Sequence, residues 1–452
     1  ALKAAQLGAK VAVVEKAHLG GTCLNHGCIP SKALLASAEL LHRIRRASDL
    51  GVEVAAEASF DWPAIQKRKD KTLQTLRGGI KALFAGRGVT VFQGRAVMRG
   101  AAKVSIITEG KPDQDLTAEK IILAVGSVPS RIPGWPDEPA TVCTSDQAIH
   151  WPDLPKRLLI VGGGYIGCEF ACMMREFGVE VTIVEMLPHL LPNLDKDLGG
   201  ALAKAFGERG ITCLAGTKIE DLSLDEGRVA AVLSGGQRVE ADRALVAVGR
   251  QPNTAELGLQ DIGLTTDRGF ISVNDRMETQ ADGVYCIGDA NGRVLLAHAA
   301  SAQGTVAAEN ALGGERTFDA PVPGCVYTFP EVATVGMTCR QASESGVPVD
   351  VGLFPMRYLG KAMAVGRTEG FVKVLRHREG GELLGVHMLG HNVTEIIAAA
   401  GALLNHKASV DELAELIFAH PTISEAFKAA GEDALGMALH LPPRKVTDHA
   451  SS

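Results

Sequence analysis

The sequence predicts an α/β protein with two doubly wound units and a C-terminal α+β unit. Three observations predict it. The strand Arg157–Val161 runs into Gly162-Gly-Gly164-Tyr-Ile-Gly167, then a helix, then a strand ending at Glu185. That order is echoed near the N-terminus, where VAVVEK carries Glu15 as VTIVEM carries Glu185. Beyond Pro321 the texture changes to alternating strands followed by helices.

Composition excludes several classes. The chain has 452 residues, three or four domains' worth at roughly 100–200 residues each. Hydrophobic residues are 46% and charged residues 22%, so the chain is neither disordered nor collagen-like. A net charge of -6 and 4% aromatics offer no phosphate-binding excess and few stacking platforms for nucleic acid. The longest apolar run, Ile396 to Leu404, is far short of the ~20 residues of a membrane helix. Nine cysteines in so long a chain point to a reducing compartment, and make a close pair a candidate redox or metal site.

The elements follow in order. Residues 1–8 fit the second half of a helix ending at the Gly8 cap. Ala9–Glu15 fits a buried strand. A doubly wound unit starts with a strand before such a helix, and the first residue is Ala1 rather than Met. The chain is therefore expected to be N-terminally incomplete. A cysteine-bearing helix start, a charged helix over Trp62–Arg87 and short strands come next. The strand Lys120–Val125 enters a turn at Gly126-Ser127, and Trp151–Pro155 is a proline-containing linker. A strand and turn over Val284–Asp289 lead to a helix from Ala297. The expected units are 1–150, 151–275, a return to the first unit over 276–320, and the C-terminal unit over 321–452.

The glycine segment has the full context of a dinucleotide fingerprint: strand, turn, helix, second strand and acid. Gly162 permits the tight turn, Gly164 lets backbone approach a pyrophosphate, and Gly167 lets helix and strand pack closely. The helix N-terminus offers free N–H groups to phosphate. Glu185 accepts from ribose hydroxyls and repels a 2′-phosphate, and no Arg lies between Met186 and Asp195. NAD is preferred over NADP.

The segment Gly20-Gly-Thr-Cys23-Leu-Asn-His-Gly-Cys28-Ile-Pro-Ser-Lys32 places two cysteines five positions apart at a helix start. A helix N-terminus and a nearby Lys lower a thiol pKa, which suits thiol–disulfide exchange. Three other readings compete. A zinc site needs a second ligand pair, and only His18 and His26 are near. Two inert buried thiols, or one lone nucleophile, are the others. The remaining seven cysteines fit small apolar filler. His420-Pro-Thr-Ile-Ser-Glu425 offers a histidine that takes a proton at neutral pH, with a carboxylate to fix its tautomer.

Together GGTCLNHGCIPSK, GGGYIG with Glu185, CIGDA and HPTISEAF resemble the pyridine nucleotide–disulfide oxidoreductases, in the same order along essentially the whole chain. The ending Ile29-Pro-Ser-Lys32 looks more like the lipoamide branch than the glutathione branch. The resemblance implies FAD- and NAD-binding units and a C-terminal dimerisation domain. It implies oxidation of protein-bound dihydrolipoamide to lipoamide with reduction of NAD. Cys23 and Cys28 are implied as the redox disulfide, Cys23 the interchange thiol and Cys28 the thiolate beside the flavin. Lys32 is implied near the flavin and paired with Glu169. Glu15 is implied at the FAD ribose, Ala96 at the adenine, and Ala124, Gly126 and Ser127 at the turn near the flavin. Asp289 is implied at the ribityl chain and Ala297 beside the flavin ring. Tyr165 either shields the nicotinamide pocket or simply packs. Ile219 and Gly249 are implied as further NAD contacts. His420, held by Glu425, is implied to reach the disulfide of a neighbouring subunit, so a homodimer is expected. A lipoyl-bearing carrier protein is the expected partner, with no metal, nucleic acid or membrane.

Other branches fit less well. A glutathione or trypanothione reductase wants basic residues after Val184, and a mercuric reductase wants a cysteine pair near the C-terminus, where the last cysteine is Cys339. An inactive apo fragment is the remaining alternative, because the family's first strand and its FAD-binding glycine loop would precede Ala1. His26 departs from the family, where an apolar residue is usual. The expected location is the cytoplasm, or the mitochondrial matrix for a eukaryotic source.

Overall fold

The computed structural model describes residues 1–442, and positions 443–452 of the expected C-terminal unit lie outside the described residues. The first helix, Leu2–Gln6, precedes the strand Ala12–Glu15, which pairs in parallel with Thr90–Gln93. A second parallel pair joins Ile121–Leu123 to Val284–Cys286. The long helix runs over Trp62–Gly86. Asp61 caps it by accepting from the Ala64 N–H, and Pro63 sits in its first turn, where no amide partner is needed.

The glycine segment lies in a five-stranded parallel sheet, ordered Thr212–Ala215, Glu180–Glu185, Arg157–Val161, Arg243–Val246, Val142–Thr144. Its edge strand, Val142–Thr144, lies before the expected junction at 150/151. At the other end, Arg250–Pro252 pairs back with Ser127–Pro129. Leu257, Leu259, Leu264 and Ile271 share a core with Met98 and Leu123. Residues 250–275 therefore pack with the first unit, not with the parallel sheet. The expected boundaries differ because they followed proline content and the glycine motif, whereas pairing partners decide sheet membership. Two three-stranded antiparallel sheets, over 95–117 and 219–241, complete the two units.

The C-terminal unit is a five-stranded antiparallel sheet, ordered Gly324–Val326, Glu331–Gly336, Leu383–Gly390, Phe371–His377, Val349–Pro355. Helices Val393–Asn405 and Glu425–Ala434 pack on it. Val372, Val374, Val386 and Met388 are fully buried beneath them with Ile397 and Phe427. Among the described residues no helix is long and apolar enough to cross a membrane.

One continuous core joins the three units. Leu34, Ala38 and Leu41 line one face of the helix Cys28–Arg45 at i, i+4 and i+7. They pack with Phe170, Met173 and Met174 of the helix Tyr165–Glu176, and with Val326, Val332 and Leu389 of the C-terminal sheet. A buried ion cluster fixes another contact between units. Lys373, 2% exposed, donates to Asp195 at 2.7 Å and to both Asp197 oxygens at 2.8 Å. Burial pushes the Asp195 carboxyl up, but the Lys373 ammonium and the Cys339 N–H outweigh it and hold it at about 2.

Lys373→Met leaves the buried Asp195 carboxylate without its cation and facing the half-exposed Asp197. We expect a loss of about 3–5 kcal/mol in urea unfolding. The wild-type contribution is complete above about pH 4 and fades as the pH falls toward the folded pKa, so acid titration removes the difference between the two proteins.

Candidate active site

Two helices position the site. One begins at Cys28 and the other at Tyr165, directly after Gly164. Lys32 Nζ donates to both Glu169 carboxylate oxygens at 2.8 Å. Two to three turns on, His42 Nδ1 lies 3.0 Å from Glu176 Oε1, with Arg45 and Arg209 also on Glu176. The pairs 32–169 and 42–176 advance together along both chains, so the helices run parallel and their N-termini share one end. The Lys32–Glu169 pair is further held by the Tyr327 N–H at 3.1 Å, and the Tyr327 ring lies 4.3 Å from the ammonium. Each buried or half-buried charge thus has partners, which removes most of the cost of leaving water.

Both cysteines are half-buried and free. The two thiols interact closely enough that each shifts the other's titration. The Cys23 contact, against burial and with help from Lys32, brings the Cys28 thiol down to about 7. The same contact, burial and the Cys28 charge push Cys23 up. Cys28, at the helix start, is therefore the more acidic of the two thiols. The loop between them is tight: a Cβ on Gly27 would meet Cys23 Cα at 3.3 Å and Thr22 O at 3.2 Å. Asn25 braces it, donating to Gly21 O at 2.8 Å and accepting from Arg77 Nε at 2.5 Å.

The glycine loop has the geometry its spacing requires. Gly162 has φ +105°, and Gly167 lies so close to Gly162 that a Cβ there would sit 2.0 Å from the Gly162 carbonyl. Gly164 faces open space, with nothing within 4 Å of a built Cβ. Glu185 is buried, and its two oxygens accept from the Gly163 N–H at 2.6 Å and the Leu187 N–H at 2.7 Å. One lone pair on each oxygen is left for a ligand. Ile219 is buried at the start of a strand below this sheet. Gly249, φ +123°, accepts from Ser130 N–H at 3.0 Å at the crossing between units.

Tyr165 reaches the C-terminal unit. Its hydroxyl hydrogen-bonds to Thr334 and packs against Gly324, and burial pushes the phenol up. Glu15 ends its strand and accepts from Ala17 N–H at 2.8 Å. Ala96 lies in the strand Arg95–Gly100, while Ala124 and Ala297 are exposed. Gly126 has φ +65° with open space around it. Ser127 Oγ donates to Asp289 Oδ2 at 2.5 Å and accepts from Arg250 Nε at 2.7 Å.

His420 and Glu425 lie elsewhere on the chain's surface. His420 Nδ1 is 2.9 Å from Glu425 Oε1, and Thr422 N–H donates to Oε2 at 2.8 Å. The carboxylate only accepts, so the imidazole hydrogen is on Nδ1 and Nε2 is left as a base. Burial raises the Glu425 carboxyl, but the Thr422 N–H and the imidazole outweigh it and keep it ionised. The His420 side chain is 79% exposed, and nearby Ile417 is 98% exposed.

Sequence reasoning missed several neighbours. Arg250 directly follows the singled-out Gly249, and Asn25 lies inside the cysteine motif, so a local signal existed for both. Tyr327 has none, because it meets Glu169 from 158 positions away. His150 and Lys69, against His26, had none either.

Comparison with known proteins agrees with this geometry. Residues 1–304 match the profile of the pyridine nucleotide-disulphide oxidoreductases, and residues 322–431 match the dimerisation domain of that family. A dihydrolipoyl dehydrogenase of Chlamydia muridarum is 36% identical over 98% of this chain and 96% of its own length. One from Zymomonas mobilis is 39% identical over 97% and 96%. Among solved structures, LpdA from Mycobacterium tuberculosis superposes with a TM-score of 0.87 at 28% identity, covering 95% of this chain and 96% of that one. The HOCl-induced flavoprotein disulfide reductase RclA from Escherichia coli gives 0.84 at 27% identity, with 96% of each chain covered.

The two glycines of the loop separate packing from ligand approach. Gly167→Ala drives a Cβ into backbone and is expected to lower stability by about 1–3 kcal/mol. Gly164→Ala has room and is expected to change stability by under about 1 kcal/mol. Chemical denaturation of both variants checks the contrast.

Proposed function

We infer the function from one premise: the chain belongs to the pyridine nucleotide-disulphide oxidoreductases. It is a flavin-dependent disulfide oxidoreductase that oxidises dihydrolipoamide to lipoamide and reduces NAD to NADH. The observation that carries this reading is the interacting cysteine pair at a helix start, beside an ion-paired lysine.

The residues present suit NAD, and the ribityl and adenosine parts of FAD. The open face at Gly164, the helix start behind it and the spare lone pairs of Glu185 suit the pyrophosphate and ribose of NAD. Ser127 and Asp289, bonded to one another, suit a polyhydroxyl chain, and Glu15 and Ala96 suit the adenosine end of FAD. When bound, FAD couples two-electron thiol chemistry to hydride transfer with NAD. Ala124, Gly126 and Ala297 leave space along that path, with Tyr165 at its NAD side and Ile219 and Gly249 lining the nucleotide's approach.

The protein's own steps are proton and sulfur transfers. His420 Nε2 takes a proton from the dithiol, and Glu425 stabilises the resulting imidazolium. The substrate thiolate attacks Cys23 Sγ. The Cys23–Cys28 bond breaks and its electron pair stays on Cys28, which Lys32 and the helix start favour as thiolate. The second substrate thiol gives its proton to Cys23 Sγ as that sulfur departs, and its own sulfur bonds to the substrate sulfur held in the mixed disulfide. Lipoamide leaves, and Cys23 is released reduced.

The matching dimerisation domain supports a homodimer. His420 of one chain would serve the cysteine pair of the other, which accounts for a base so exposed and so isolated within one chain. The exposed Ile417 beside it suits burial by a second copy. The natural dithiol is a lipoyl group on a carrier protein. With nine free cysteines among the described residues, the cytoplasm is the compartment of this reading, or the mitochondrial matrix in a eukaryote.

Cys28→Ser is expected to abolish dithiol-dependent NAD reduction while retaining NADH oxidation by an artificial dye. Equal dithiol turnover in that variant overturns the assignment. His420→Gln is expected to slow dithiol oxidation by about 10²–10⁴-fold, again sparing the dye reaction. Steady-state assays with dihydrolipoamide and with dye check both.

A further inference from the structure

The inference here rests on the assignment of Cys23 and Cys28 as the redox pair. Three side chains form a line from the interior to the segment between those cysteines. Lys69, in the long helix, is 1% exposed. Its ammonium donates to Gln66 Oε1 at 2.5 Å, Ile149 O at 3.1 Å and His150 Nδ1 at 2.9 Å. The exposed Asp70 lies 3.2 Å away. His150 Nε2 is 3.4 Å from His26 Nδ1, with the rings edge to face at 5.5 Å. Arg77 is the remaining charge acting on His150, and it is bonded to Asn25, next to His26.

Donor counting fixes the hydrogens along this line. A neutral imidazole has one N–H. Lys69 donates to Nδ1 of His150, so His150 carries its hydrogen on Nε2 and donates it to His26 Nδ1. Burial, Lys69 and His26 bring His150 down to about 4, so it stays neutral near pH 7. His26 then carries its own hydrogen on Nε2. The line holds one excess proton, resting on Lys69. If Lys69 passes a proton to His150 Nδ1 while His150 Nε2 passes one to His26 Nδ1, the charge moves to His26. Lys69 becomes a neutral amine, and no proton is gained or lost. Burial of Lys69 favours the shift. So does a thiolate at Cys28, two residues and so within about 8 Å, Cα to Cα, of His26.

We propose that Lys69, His150 and His26 form a proton relay that sets a positive charge beside the cysteine pair when it is reduced, and returns it to Lys69 when the pair is oxidised. His26 and His150 are positioning residues for the thiolate.

Iodoacetamide alkylation of the reduced, purified protein tests this, followed against pH and assigned to each cysteine by mass spectrometry. His26→Leu and His150→Leu are each expected to shift the pH profile upward and slow alkylation at neutral pH by about tenfold. The double variant is expected to slow it no further, because either change breaks the same line. Melting temperatures close to wild type show that the fold is kept. A profile unmoved in either single variant overturns the relay, as does a double variant equal to the product of the singles. Alkylation needs neither nucleotide nor dithiol. A wild-type protein without dithiol turnover would therefore overturn the function above while leaving this readout intact.

Discussion

The structure depends on the parallel packing of the helix Cys28–Arg45 against the helix Tyr165–Glu176. Their apolar faces form the largest shared core, and ion pairs clamp them at two levels, Lys32 with Glu169 and His42 with Glu176. Parallel packing sets both N-termini at one end. One N-terminus carries the thiolate and the other the glycine loop. Dithiol chemistry and nucleotide binding are thus held together by two elements from different units of the chain. A shift of one helix along the other would break both ion pairs and part the two chemistries.

Electrostatics then divides the labour. Cys28 has a cation, an interacting thiol and a helix start, and is the better thiolate. Cys23 is held protonated by the same contact, and becomes the sulfur open to exchange. The base proposed for the reaction is absent from this neighbourhood. It stands at His420, exposed and held by Glu425, on the unit whose family profile is a dimerisation domain. Completion of the site by a second copy, as proposed above, would account for an imidazole that faces outward beside an uncovered apolar surface.

Much of this was legible in the sequence because it is local. The glycine spacing, the cysteine spacing and HPTISE each set geometry within a few residues: Gly162 takes a positive φ, Gly167 has no room for a Cβ, and Gly164 faces open space. Lys32 with Glu169 came from the resemblance and His420 with Glu425 from their spacing, and both pairs are in contact in the structure. Long-range pairing was not legible. Val142–Thr144 reads as part of the first unit until its partner Arg243–Val246 is known. Residues 250–275 follow the second unit in sequence but bury their leucines with Met98. The line from Lys69 to His26 spans separate segments, and only folding brings them together.

The central claim is that the thiolate of Cys28 and the flavin lie side by side. Stepwise anaerobic addition of dihydrolipoamide to the FAD-loaded protein, followed by visible absorption, tests it most directly. The account predicts a long-wavelength thiolate–flavin band that grows to one per chain and disappears when NAD is added. Loss of flavin colour with no such band, or no response to the dithiol at all, would contradict it.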